Sequence, residues 1–168
     1  MRMIVLAPIV LLSVCASASA QEQAAQQPAC ATVAEPWQAP RAIASARDAA
    51  GAAQAPFDIG EPVRLSLHPD GEVAYVTLPK GEGEAASFGG MASFTVEQAG
   101  TYRVGLSEPV WVDVVHDGKP AETVNFGPGP ACSGIRKAVS FELQPGVHVL
   151  EISGGTTAEI GVIVEQLP

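Results

Sequence analysis

Few residues in this chain are suited to chemistry. Three histidines, His68, His116 and His148, stand among 18 aspartates and glutamates. His68-Pro69-Asp70 spells the His-x-Asp half of a two-histidine, one-carboxylate iron site, which His116 or His148 could complete, with His148 taken as the third ligand. That triad would make the chain a small metal-dependent enzyme with non-haem iron and dioxygenase-like chemistry. A structural reading competes. Asp70 precedes Gly71, a pair that supplies the positive φ of a tight hairpin turn, and no His-x-His is present. No Lys or Arg follows Lys137 to anchor an oxo-acid cosubstrate. We take the structural reading and expect no metal or other cofactor: His68 and His116 lie at hairpin ends, and His148 is a semi-buried polar group in an apolar strand.

Other catalytic signatures are missing. There is no Gly-x-Ser-x-Gly elbow, no phosphate-binding Gly-rich loop before a helix, and no closely spaced Asp/Asn set around a Gly for calcium. One aromatic invites a ligand. Val110, Val112 and Val114 alternate along one strand, which sets Trp111 and Asp113 on its other face. A Trp beside an Asp can stack a sugar ring or a peptide side chain while the carboxylate accepts a hydrogen bond. The alternative is that the N-terminal stretch bearing Trp37 folds back and covers Trp111.

These residues must be carried by an exported chain. Arg2, an apolar run from Ile4 to Val14 and Ala18-Ser19-Ala20 follow the order of a signal peptide over residues 1–20. Leu12-Ser13-Val14-Cys15 approaches a lipobox, but Val14 stands where a small residue belongs, so cleavage before Gln21 is expected. The periplasm or the medium is the destination. Cleavage removes one Arg and no acid, leaving 8 basic against 18 acidic side chains, a net charge of −10. That charge argues against nucleic acid and anionic membranes. It fits a soluble monomer and says nothing specific about a ligand; the expected partner is an envelope protein, peptide or carbohydrate. With Cys15 removed, Cys30 and Cys132 remain, and in an oxidising compartment an even pair without His or Cys-x-x-Cys neighbours is expected to form a disulfide.

The positioning elements follow from composition. Residues 21–56 are rich in Ala, Gln and Pro and read as an irregular arm, with at most a short helix within residues 41–53. From Phe57 to the end, short β-branched or alternating runs are separated by Gly, Pro and Asp-Gly. Strands are expected over residues 62–67, 73–78, 91–97, 101–107, 110–116, 122–126, 137–143, 147–153 and 159–166. Residues 57–168 are thus expected to form an antiparallel two-layer, jelly-roll-like β-sandwich of about eight or nine strands. An internal echo supports this: Ser93-Phe94-Thr95-Val96 through Gly100 to Tyr102 and Val104 parallels Ser140-Phe141-Glu142-Leu143 through Gly146 to His148 and Leu150. We read it as one hairpin used twice.

The run from Phe94-Thr95-Val96 and Gly100-Thr101-Tyr102 through Trp111-Val112-Asp113-Val114 to Leu143-Gln144-Pro145-Gly146 and Val149-Leu150-Glu151-Ile152 resembles bacterial pre-peptidase C-terminal domains. The resemblance covers residues 62–166. It implies a small secreted β-sandwich that accompanies exported hydrolases and aids secretion, folding or substrate contact without catalysis of its own. More loosely, the chain is similar to short exported bacterial proteins that sometimes carry a homogentisate 1,2-dioxygenase label. That label would require the iron ligands weighed above. Mass spectrometry of the exported form should show a chain beginning at Gln21; a diacylglyceryl adduct on Cys15 would contradict the leader assignment.

Overall fold

The computed structural model describes residues 37–77 and 87–168; the expected leader, Cys30 and the end of the strand expected over 73–78 lie outside them. Eleven strands and one short helix are present: β1 (Arg41–Ala44), α1 (Ala49–Ala52), β2 (Val63–Ser66), β3 (His68–Pro69), β4 (Phe88–Val96), β5 (Gly100–Leu106), β6 (Trp111–His116), β7 (Lys119–Pro120), β8 (Glu122–Gly127), β9 (Lys137–Leu143), β10 (Gly146–Gly155) and β11 (Glu159–Gln166). They form a two-layer sandwich. One sheet runs β1-β2-β11-β5-β9-β8, the other β3-β4-β10-β6-β7. All pairings are antiparallel except that of β1 with β2. Alternation gives each strand one apolar face. Leu65, Val104, Phe141 and Val162 from the larger sheet meet Ala92, Phe94, Val114, Leu150 and Ile152 from the smaller, all essentially without exposure.

The echo is real, but its unit is not a hairpin. β4 and β5 do not pair with each other; β4 pairs with β10 in the smaller sheet and β5 with β9 in the larger. Each copy is an arch that leaves one sheet and enters the other. Alternating apolarity cannot tell a hairpin from an arch, because in both cases each strand has one face to bury. The two arches clasp each other about a pseudo-two-fold, with Phe94 opposite His148 and Tyr102 opposite Phe141. They close in the same way. Tyr102 donates its hydroxyl to the Gln98 carbonyl at 2.7 Å, and His148 donates from Nε2 to the Gln144 carbonyl at 2.8 Å, each bond reaching four residues back.

From Arg41 onward, the stretch expected to be an irregular arm belongs to the sandwich. β1 pairs with β2, α1 is capped by Asp48, whose carboxylate accepts from Gly51 N at 2.6 Å, and Ala52 and Ala55 are buried. Ala46 and Pro56 bridge to Met91 and Ser93 along the free edge of β4. Small residues can lie close where larger ones cannot, so low hydrophobic bulk here signals tight approach rather than looseness. Asp70-Gly71 departs from expectation too. It forms a 3-10 turn over Asp70–Glu72, and residues 73–77 follow as an irregular segment rather than a strand. Asp117-Gly118 does make the expected hairpin turn, with φ of 50° and 73° joining β6 to β7.

Gly90 lets the first segment dock. A Cβ there would fall on Ser45 Oγ and lie 2.7 Å from Ser45 Cβ, while Ser45 Oγ donates to the Ser66 carbonyl at 2.7 Å. Gly90→Val should therefore cost roughly 1–3 kcal/mol in urea unfolding and open residues before Phe57 to protease. Unchanged stability would mean that this docking is dispensable.

Candidate functional site

The chemically richest surface lies on the outer face of the smaller sheet. β6 and β10 pair Asp113 with Glu151 and Trp111 with Ser153, so these four share a face. Glu151 is a carboxylate only 3 % exposed. It accepts from Val76 N at 2.6 Å, from Thr77 N at 3.1 Å and from Thr77 Oγ1 at 2.5 Å. A buried carboxylate needs such donors, and these fasten residues 76–77 over the sheet. Asp70 fastens the other end, accepting from Tyr75 Oη at 2.5 Å and from Gly154 N at 2.9 Å. Burial first, and then the bond to Asp70, push the Tyr75 phenol pKa up, so Tyr75 is a donor here and not a base.

Trp111 stands beside this strap, 38 % exposed. Its Nε1 donates to Asp113 Oδ2 at 2.8 Å, and Thr77 Oγ1 lies 3.4 Å from the same oxygen. Lys137 crosses from β9, donates to the Val110 carbonyl at 2.6 Å and places its ammonium 5.3 Å from the indole centroid. Burial lowers the Lys137 pKa, while Asp113 acts in the opposite sense. The indole is thus held at its nitrogen by a carboxylate and on one face by a cation. Trp37 does not cover it. That ring lies over Gly134 and Gly161 and donates from Nε1 to the Ser133 carbonyl at 2.6 Å. Sequence reasoning names Trp111 and Asp113 as candidates but not the neighbouring Lys137, Tyr75 and Glu151. An acid at a central position of the apolar run Val147–Ile152 was the available signal for Glu151.

The three residues of the iron alternative are not brought together. His68 donates from Nε2 to the Ser45 carbonyl at 2.8 Å on the edge of β4. Asp70 is bound to Gly154 near the end of β10, whereas His148 lies near its start, six residues or about 20 Å along the strand and on the inner face. Among the described residues no group of three His, Cys, Asp or Glu side chains could hold a metal ion. His148 has a different neighbour. Its ring stacks on Phe94 at 5.6 Å and on His116 at 4.5 Å between centroids, 26° from parallel with the latter. Rings so nearly parallel aim their lone pairs alongside one another, so the two cannot converge on one ion. His116 donates from Nδ1 to the Val147 carbonyl at 2.9 Å and keeps Nε2 3.6 Å from the Asp117 carboxylate.

No protein-family model matches the chain, and no curated protein matches it.

His148 is 1 % exposed and its Nδ1 has no partner. Protonating Nδ1 would bury a cation beside a second imidazole. Burial, opposed by the Gln144 carbonyl and reinforced by His116, lowers its pKa below the usual 6.5. With the folded value depressed, the unfolded chain takes the proton first. The stability His148 contributes is present above about pH 6.5 and is lost as pH falls from there toward the folded value. Urea midpoints should therefore fall between pH 7.5 and 5.5. In His148→Gln that fall should be smaller; an equal fall in both proteins would show that other groups set the acid response.

Proposed function

We propose that this protein is an exported, non-catalytic β-sandwich module that binds at, or helps to build, the cell envelope, and that it presents Trp111 and Asp113 to its ligand. The observation that carries this reading is the half-exposed indole, fixed by Asp113 and Lys137 rather than folded into the core. An aromatic ring pre-set in this way loses little freedom on stacking against a sugar ring or a peptide side chain. The leader-like residues 1–20 and the acidic composition support export. Tyr75, Asp70 and Glu151, which would be the obvious acid–base candidates nearby, are committed to holding residues 70–77.

The test uses the protein's two tryptophans. Trp37→Phe leaves Trp111 as the sole indole, and its emission should change saturably with soluble peptidoglycan fragments or with an envelope peptide fraction. Asp113→Ala releases the ring nitrogen and should weaken binding about tenfold, ~1.4 kcal/mol. No response to either class would remove the binding reading and leave a structural one.

We also propose a bridge between Cys30 and Cys132. Cys132 sits in the loop before β9 at a φ of 61°, close in sequence to Ser133 and Gly134, where Trp37 is seated. Both observations support a covalent tie for the N-terminal stretch. Closing a loop of about a hundred residues stabilises by at most roughly 4.7 kcal/mol in the chain-entropy model. Replacing both cysteines by Ser should lower the melting temperature by several degrees; labelling of two free thiols in unfolded, unreduced mature protein would contradict the bridge.

A further inference from the structure

β8 ends the six-stranded sheet, so among the described residues one side of it has no neighbouring strand. Its register with β9 sorts its side chains. Thr123 and Phe126 lie opposite Phe141 and Val139, which face the core, while Glu122, Asn125 and Gly127 lie opposite Glu142, Ser140 and Ala138, which face outward. Phe126 is therefore directed toward the second layer, yet it is 75 % exposed, more than any other exposed large apolar side chain described. The smaller sheet accounts for this. Beyond β6 it has, among the described residues, only the two residues of β7, paired with Val115 and His116, so no described strand of that layer covers Phe126. On the outward side Glu122 stands directly opposite Glu142. Like charges so placed destabilise a sheet; Glu142 accepts from Thr101 Oγ1 at 2.6 Å, and among the described residues neither carboxylate belongs to an ion pair.

We propose that the free edge of β8 is a strand-addition site for an extended partner segment in which apolar and basic residues alternate. The added strand would pair with the open main-chain groups of β8. Its apolar side chains would supply the missing cover for Phe126, and its Lys or Arg side chains, pointing the other way, would meet Glu122 and Glu142. A second copy of this chain does not fit this chemistry. It carries a net charge of −9, and β8 itself contains no Lys or Arg. The pairing window is short, because a bulge lies between Thr123 and Asn125 and Pro128 and Pro130 follow directly. Those features keep the edge from templating an open-ended sheet. The site is separate from the Trp111 face and stands or falls apart from it.

The experiment follows amide resonances of isotope-labelled mature protein, with the acetylated and amidated hexapeptide Lys-Val-Lys-Val-Lys-Val as probe and its Glu-for-Lys counterpart as control. At millimolar Lys peptide, shifts and slowed amide exchange should concentrate on Glu122–Gly127. Affinity should fall at least tenfold in Phe126→Ala and in the double variant Glu122→Lys/Glu142→Lys, and stay unchanged in Trp111→Ala. Both Phe126 and Glu122 are exposed, so these variants should fold. Absence of shifts in β8, equal binding of the Glu peptide, or equal binding by Phe126→Ala would each overturn the proposal.

Discussion

The mutual clasp of the two arches is the constraint on which the molecule depends. β4–β5 and β9–β10 each turn from one sheet to the other, and their pairing makes the centre of both sheets at once. Each is locked at its turn by a ring that donates to a Gln carbonyl four residues back, Tyr102 in one and His148 in the other. The likeness also exposes a difference. A phenol satisfies its corner with a single hydroxyl, whereas an imidazole brings a second nitrogen, and Nδ1 of His148 is left buried without a partner. The fold keeps that nitrogen unprotonated by burial and by the neighbouring His116 ring.

β10 links this core to the surface. Its inward residues Leu150 and Ile152 fill the sandwich, while outward Glu151 and the backbone at Ile152 and Gly154 collect Val76, Thr77, Tyr75 and Asp70. One strand thus decides both how the layers pack and where the strap over residues 70–77 lies. Gly89 permits this, since a Cβ at that position would strike Tyr75 Oη and Asp70 Oδ1. Trp111 then takes its orientation from β6, from Asp113 on the same face and from Lys137 reaching across from the other sheet.

Period-two alternation made the strands legible, and β9 and β11 carry the bounds expected from sequence. It also placed Trp111 and Asp113 on the outer face. What it could not carry was partnership. An arch and a hairpin present the same alternation, and Asp70-Gly71 has turn chemistry whether its carboxylate caps its own turn or reaches Gly154. The Ala-rich stretch was misread from Arg41 onward because propensity weighs bulk, whereas Ala52 and Ala55 contribute by being small enough to pack closely. Lys137 was invisible for a related reason: its contact with Trp111 joins two sheets and has no local signature.

The arches carry a consequence for how the chain acquires this structure. A sandwich made of hairpins could zip from several turns, each contact close in sequence. Here Phe94 must wait for His148 and Tyr102 for Phe141, while β2, already beside β1, gains its second neighbour only when β11 arrives. Such non-local topologies pay loop-closure entropy before contacts repay it and fold in milliseconds to seconds. A chain threaded through a membrane from its N-terminus would emerge with β5 complete but unpaired and β4 joined only to earlier edge segments, and its sheets would stay open until nearly its last residue was across. Were the chain exported unfolded, as proposed above, this ordering would postpone the cooperative step until translocation was almost finished.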